Sequence, residues 1–344
     1  MKNKRLKQWW AAAILSVLTL SILTACGDST APATNAAKQA VKLTLSYVPN
    51  VQFAPFYVAL DKGYFAAEGL DVSFNYSTVN DVLALVGQGK IQFAAAGGDE
   101  VLQARAAGIP VTYITTVYQK YPIALAALKD KNIKSLADLK GKTIGIPGPY
   151  GSNYIGLKVL LNAAKLTEQD VKEQSIGFTQ REALAAGKVD AAMVFSMNEP
   201  VQLEKAGIAV DRIEVSSINN LASVGLATSE SMIATNPELV QKIVRAMQHG
   251  LKDTIANPDA AFDSTLKVAP DAKGDNPELQ RAVLKETVKY LSNDSVKGQP
   301  VGYSDPKLWE NTAQFLLDNK LIPVKVEANT SFTNKYLSTD IKYE

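Results

Sequence analysis

From Lys42 onward, short apolar runs alternate with stretches of helical spacing. Residues 42–47 predict a strand, and residues 56–68 repeat their apolar positions at three and four, which predicts a helix ending at Gly69. The alternation over residues 70–76 predicts a second strand. Asn80 offers a side-chain oxygen to cap a helix over residues 81–88, which Gly89 stops. Residues 91–95 predict a buried strand, and Asp99 opens a helix ending near Gly108. Further strands are predicted at residues 111–117 and 123–128. Residues 135–146 read as a short capped helix turning through Gly141 into a strand, the start of a second series of the same kind.

After another strand at residues 221–228 the pattern becomes helical, over residues 236–256, 259–267, 277–292 and 305–319. Strands alternating with helices imply an α/β fold with mostly parallel sheets, and the long terminal helices imply that the chain returns to pack on its first half. Residues 81–97 and residues 182–195 share one plan: a helix, a glycine, then a strand of small apolar residues. Two lobes of similar design would account for this echo, and so would the general look of any αβ unit. Either way, loops 97–100 and 196–200 lie at the carboxyl ends of strands, where ligands sit in open α/β sheets.

Composition narrows the chemistry. The 344 residues contain one histidine, His249, and one cysteine, Cys26, which excludes intrachain disulfides, cysteine-rich zinc sites and iron–sulfur clusters. His249 falls on a long late helix, where a structural role is expected. Lys2, Lys4, Arg5 and Lys7 face no acid within residues 1–25, leaving 32 basic against 34 acidic residues in the rest and no electrostatic footprint for nucleic acid. That same segment has a basic start and an apolar run of about fifteen residues, short of the ~20 that span a bilayer, and it ends in Leu23-Thr24-Ala25-Cys26. This end resembles the bacterial lipobox, which implies a signal peptide at 1–25, lipid on Cys26 and a small, polar tether at 26–41. The expected location is outside the cytoplasmic membrane, anchored to it.

The loops carry the candidate chemistry. Pro49 fixes the turn after the first strand, where Asn50 and Gln52 offer both donors and acceptors beside Tyr47, Phe53 and Phe56; an Asx-turn with both phenylalanines in the core is the alternative. Gly97, Asp99 and Glu100 put backbone N–H groups and two acids at a helix start, which capping alone would also explain. Tyr150, Gly151, Ser152 and Tyr154 open a helix after a strand, with glycine allowing close approach of a ligand; the stretch lacks the ending of a phosphate-binding P-loop. Asn198 and Glu199 offer an amide and a carboxylate, or a helix cap with Pro200 in the first turn.

Tyr47-Val-Pro-Asn-Val-Gln-Phe-Ala-Pro-Phe-Tyr-Val-Ala, then Lys62-Gly-Tyr-Phe-Ala-Ala-Glu-Gly-Leu and Ser135-Leu-Ala-Asp-Leu-Lys-Gly-Lys-Thr-Ile-Gly-Ile-Pro, resemble the type 2 solute-binding proteins of ABC importers. The likeness is to the branch that binds thiamine-pyrimidine precursors, riboflavin, alkanesulfonates and nitrate, and it covers nearly all of residues 42–320. It implies two αβ lobes, residues 42–121 with 226–344 and residues 122–225, joined by two crossover strands and closing on a ligand held between them. It also implies that the Tyr47–Phe53 loop contacts the ligand and that Tyr118 and Tyr121 fall at the first crossover.

These loops are rich in Tyr, Phe, Asn and Gln, and Lys120 is their only basic residue. Anions call for Arg, Lys or organised helix starts, whereas a flat heteroaromatic ring calls for aromatic faces and amides. Riboflavin is therefore the first expectation, sandwiched by Phe53, Phe56, Tyr118 and Tyr121, with a thiamine-type pyrimidine next and a sulfonate or nitrate after it. Fungal relatives of the fold make the thiamine pyrimidine from their own histidine and a pyridoxal cofactor; the histidine and cysteines they use have no counterpart in this body, so a non-enzymatic protein without cofactor or metal is expected. The resemblance implies a permease and an ATPase as partners of a monomer, with a sensory lipoprotein as the alternative.

Overall fold

The computed structural model describes residues 37–77 and 81–344. Cys26, the leader, most of the tether and the capping role of Asn80 lie outside the described residues. Among the described residues, ten strands form two five-stranded sheets. The first contains β1 (Gln39–Leu45), β2 (Leu70–Tyr76), β3 (Phe93–Gly97) and β4 (Val111–Thr116). The second contains β5 (Ile123–Leu128), β6 (Thr143–Ile146), β7 (Lys172–Ser175), β8 (Ala191–Phe195) and β9 (Val210–Glu214). The chain then returns as β10 (Val224–Ser229), giving the orders β2-β1-β3-β10-β4 and β7-β6-β8-β5-β9.

Each sheet has one strand running against the other four. β10 is antiparallel to β3 and β4, and β5 is antiparallel to β8 and β9, while β1 and β6 are parallel to both of their neighbours. The reversed strand is in each case the one that has just arrived from the other sheet, so the two crossings, at residues 117–122 and 215–223, are what make the sheets mixed rather than all-parallel. The echo in the sequence maps onto equivalent places: β3 and β8 are both central, each parallel to one neighbour and antiparallel to the incoming strand.

Local chemistry accounts for the departures from the predicted elements. The expected helix over residues 56–68 is two helices, Ala54–Asp61 and Tyr64–Ala67, because Gly63 between them is left-handed at φ 74°. β7 and β9, with the sequences Lys-Glu-Gln-Ser and Val-Asp-Arg-Ile-Glu, are edge strands with little apolar alternation to betray them.

The terminal helices Pro237–Ala256, Pro258–Val268 and Pro277–Leu291 bury their apolar faces in one cluster with β1, β2 and the helix Ala54–Asp61. Gly250 allows the closest approach: a Cβ there would lie 2.2 Å from the Pro55 carbonyl oxygen. A second cluster runs without a break from Ala94 and Val101 at the first sheet, through Tyr121, to Ile144 and Ile155 at the second. Trp309, on the helix Pro306–Asp318, sits in it against Tyr113 and Phe332. Burial of each large side chain in these clusters stabilises the fold by about 1.5–3 kcal/mol.

Candidate functional site

The carboxyl ends of strands from both sheets converge on one cavity of about 400 Å³, within the range of pockets that take small organic ligands. Ser46 and Tyr47 follow β1, Gly97 ends β3, and residues 147–153 follow β6; Phe178 follows β7, Phe195 ends β8, and Asn198 and Glu199 follow it. The wall thus draws on both members of the repeated plan, β3 with its following helix and β8 with its following helix.

Both loops aim a carboxyl group back at the end of their own strand. Glu100 Oε2 accepts from the Gly97 N–H at 2.8 Å, satisfying one free donor at the start of the helix Gly98–Ala106. Glu199 Oε2 accepts from the Phe195 N–H at 2.9 Å, and its Oε1 accepts from Asn198 Nδ2 at 3.1 Å. Burial pushes Glu100 up to about 7, with the neighbouring Asp99 charge adding to the effect. Burial likewise pushes Glu199 up to about 7, helped by Glu182. Each is therefore poised to gain or lose its proton near neutral pH.

Asp99 lies behind the wall and is fully buried, which raises its pKa. Its Oδ2 accepts from the Tyr121 hydroxyl at 2.5 Å and from Ser152 Oγ at 2.9 Å, and its Oδ1 accepts from the Glu100 N–H at 2.9 Å. Asp99 thereby connects the helix of the first sheet, the crossing segment and the helix Gly151–Ala164 of the second.

Tyr47, Gln52, Phe53, Gly97, Glu100, Tyr118, Tyr150, Gly151, Ser152, Asn198 and Glu199 line the cavity. The Tyr118 hydroxyl donates to the Gln52 carbonyl oxygen at 2.8 Å, which holds the first loop against the crossing. Besides Asp99, four other residues expected at the ligand do not line the cavity. Phe56 is fully buried in the core, packed edge-on against Phe74, because the helix that carries it turns that face to β2. Tyr121 is likewise buried and its hydroxyl is spent on Asp99, so it cannot form one face of a sandwich. Asn50 caps the short helix Val51–Phe53 by accepting from the Gln52 N–H at 3.0 Å, the Asx-turn alternative. Tyr154 lies one turn into its helix and donates to Glu168 at 2.6 Å.

The wall also holds Asp81, Gln103, Asn153, Phe178, Gln180 and Phe195, none of which the sequence singled out. Phe178 is half exposed and meets Tyr47 with ring centroids 5.6 Å apart and planes at 59°, so one aromatic from each sheet meets at the cavity. Its place after an unread edge strand hid it; the only available signal was a phenylalanine beside a polar Thr-Gln pair. His249 is remote from the cavity and stacks on Tyr64 at 4.8 Å.

The chain belongs to the NMT1/THI5-like family, whose model matches residues 50–261. It is 43% identical over 338 residues to the riboflavin-binding protein RibY of Chloroflexus aurantiacus, covering 94% of this chain and 96% of that one. It is 26% identical to the formylaminopyrimidine-binding protein of Halalkalibacterium halodurans, covering 92% and 96% of the two chains. It is also 26% identical to the 4-amino-5-hydroxymethyl-2-methylpyrimidine phosphate synthase of Aspergillus parasiticus, covering 83% of each. Among solved structures, the alkanesulfonate-binding protein SsuA of Xanthomonas axonopodis pv. citri superimposes with a TM-score of 0.67 at 17% identity, over 87% of this chain and 99% of that one, which establishes the shared fold.

Proposed function

We propose that this protein is the extracytoplasmic solute-binding component of an ABC importer and that its solute is riboflavin. The observation that carries the reading is the cavity between the carboxyl ends of two equivalent sheets, walled by Tyr47, Phe53, Tyr118, Tyr150, Phe178 and Phe195 together with amides of Gln52, Gln103, Asn153, Gln180 and Asn198. Aromatic faces suit a flat ring and the amides suit its polar edge. The relative at 43% identity binds riboflavin by name, which favours the same solute here.

Two lobes, residues 42–121 with 226–344 and residues 122–225, would close on the solute about the crossings, with Tyr47 and Phe178 contributed from opposite sides. The ring would lie among Tyr47, Phe53, Tyr150 and Phe178, replacing the sandwich of Phe56 and Tyr121. The protein acts as a monomer without cofactor, tethered through lipid on Cys26 and delivering solute to a permease driven by an ATPase. A non-catalytic role is supported by the relatives named as riboflavin-binding and formylaminopyrimidine-binding proteins. The second reading is a thiamine-type pyrimidine, favoured by the formylaminopyrimidine-binding relative.

Calorimetric titration with riboflavin, an aminopyrimidine, taurine and nitrate distinguishes these readings. Riboflavin is expected to bind one per chain and more tightly than the other three; stoichiometric binding of the aminopyrimidine with no response to riboflavin selects the second reading.

A further inference from the structure

The most unusual property of the cavity is its charge. Asp81, Glu100 and Glu199 line it, and among the described residues no Lys, Arg or His does. Opposite Glu100 stands the start of the 14-residue helix Gly151–Ala164, whose first N–H groups have no intrahelical partner and whose N-cap residue, Tyr150, supplies no side-chain cap. Such an end favours negative charge and would ordinarily be a place for an anionic ligand group.

Here two carboxyl groups from the first sheet stand beside that place. Ser152 Oγ donates to Asp99 Oδ2 at 2.9 Å, and Glu100 Oε1 lies 3.7 Å from where a Cβ on Gly151 would be. In the same turn, Asn153 lines the cavity, is 6% exposed, and leaves its Oδ1 without a hydrogen-bond partner among the described residues. A buried acceptor left unmet is costly unless a donor arrives. Two carboxyl groups of the protein thus stand at the helix start, and the Asn153 acceptor beside them still lacks a donor.

We propose that the cleft selects an uncharged, hydrogen-bond-donating solute and rejects the phosphate ester of that solute, with Asp99 and Glu100 occupying the anion position at the helix start and Glu199 repelling from the opposite loop. The inference rests on the flavin reading for the identity of the solute. Hydroxyl or ring N–H groups of a neutral ligand meet the carboxylates and Asn153 as donors. A phosphate in the same cavity has no cation to pair with and must approach like charges in a poorly solvated space, where such juxtaposition is strongly unfavourable.

The test compares riboflavin with riboflavin 5′-phosphate by fluorescence titration of the purified full chain at pH 8 and low salt, where Glu100 and Glu199 are ionised. The phosphate ester is expected to bind at least about 30-fold more weakly, with the ratio shrinking as salt rises. Glu100→Gln and Glu199→Gln are each expected to narrow that ratio, which a general packing defect, weakening both ligands alike, would not do. Equal affinity for the two flavins within about threefold overturns the charge selection while leaving riboflavin as solute. If neither flavin binds, the flavin reading fails and the charge selection is read from 4-amino-5-hydroxymethyl-2-methylpyrimidine against its phosphate by calorimetry, with the neutral form again expected to win. Preference for the phosphate, or binding of neither member, overturns it.

Discussion

Ser152 Oγ donates to Asp99 Oδ2 at 2.9 Å, joining a helix of the second sheet to a helix of the first. The Tyr121 hydroxyl, on the segment that crosses between the sheets, donates to the same oxygen. Because Asp99 is fully buried, removing either donor leaves a carboxyl group short of a partner where water does not reach. Tyr121→Phe is expected to cost about 1–3 kcal/mol in denaturant unfolding, and Ser152→Ala roughly 1 kcal/mol. Wild-type stability in Tyr121→Phe would show that Asp99 does not depend on this bond.

The two glutamates at the cavity make stability depend on pH in a definite direction. Their folded-state values of about 7 stand above the ordinary glutamate value of 4.5, so between those limits the folded chain holds protons that the unfolded chain has released. Their contribution is complete below about pH 4.5 and is lost as pH rises through about 7. Each pH unit over which one carboxyl is protonated only in the folded chain is worth about 1.4 kcal/mol. The solute-free protein should therefore lose this part of its stability between pH 5 and 7.5. The double variant Glu100→Gln, Glu199→Gln should show a flatter profile over that window; an unaltered slope would assign the dependence to other groups.

Gly250 tests how the chain's return packs on its beginning. A methyl group there would meet the Pro55 carbonyl oxygen at 2.2 Å and the Ala59 side chain at 2.8 Å, so helix Pro237–Ala256 must move away from helix Ala54–Asp61. Gly250→Ala is expected to lower unfolding free energy by about 1–3 kcal/mol. Solute affinity should stay close to that of the unmodified chain, since neither Pro55 nor Gly250 lines the cavity. A neutral effect on stability would show that the two helices separate at no cost.

Anchoring is a prediction from the sequence. Cys26→Ser should abolish labelling by a fatty-acid analogue and release the protein from membranes, because Cys26 is the one cysteine of the sequence and the attachment point its lipobox-like context leads us to expect. Undiminished membrane retention of the variant would place the anchor elsewhere.

What could be read in advance followed the strength of the local signal. The four long terminal helices have one strongly apolar face each and start at prolines or capping side chains, and they were legible to within a few residues. β7 and β9 were not, since β7 is largely exposed and β9 buries only Val210, which leaves burial little period to impose. Losing β7 concealed the loop that delivers Phe178. Phe56 and Tyr121 show the converse failure: residue type suggested a ring-binding aromatic, but which way a side chain faces was decided by the packing of helix on sheet and by the demand of buried Asp99 for a donor. Glu100 and Glu199 were found because their loops follow the two copies of one repeated plan, a relationship visible in the sequence before the sheets were known.

The central claim is that two lobes close on a flavin ring held among aromatics from both, and one titration addresses it most directly. Riboflavin emission is followed as the full chain is added, with the radius of gyration measured by solution scattering at the same points. Stacking quenches the flavin, so the account predicts loss of emission saturating at one chain per flavin, together with a smaller radius of gyration. Tyr47→Ala and Phe178→Ala should each weaken binding by about fivefold or more, from the loss of roughly 1 kcal/mol of ring contact beyond buried area. Undiminished emission at micromolar protein, or quenching that survives both substitutions with an unchanged scattering profile, would contradict it.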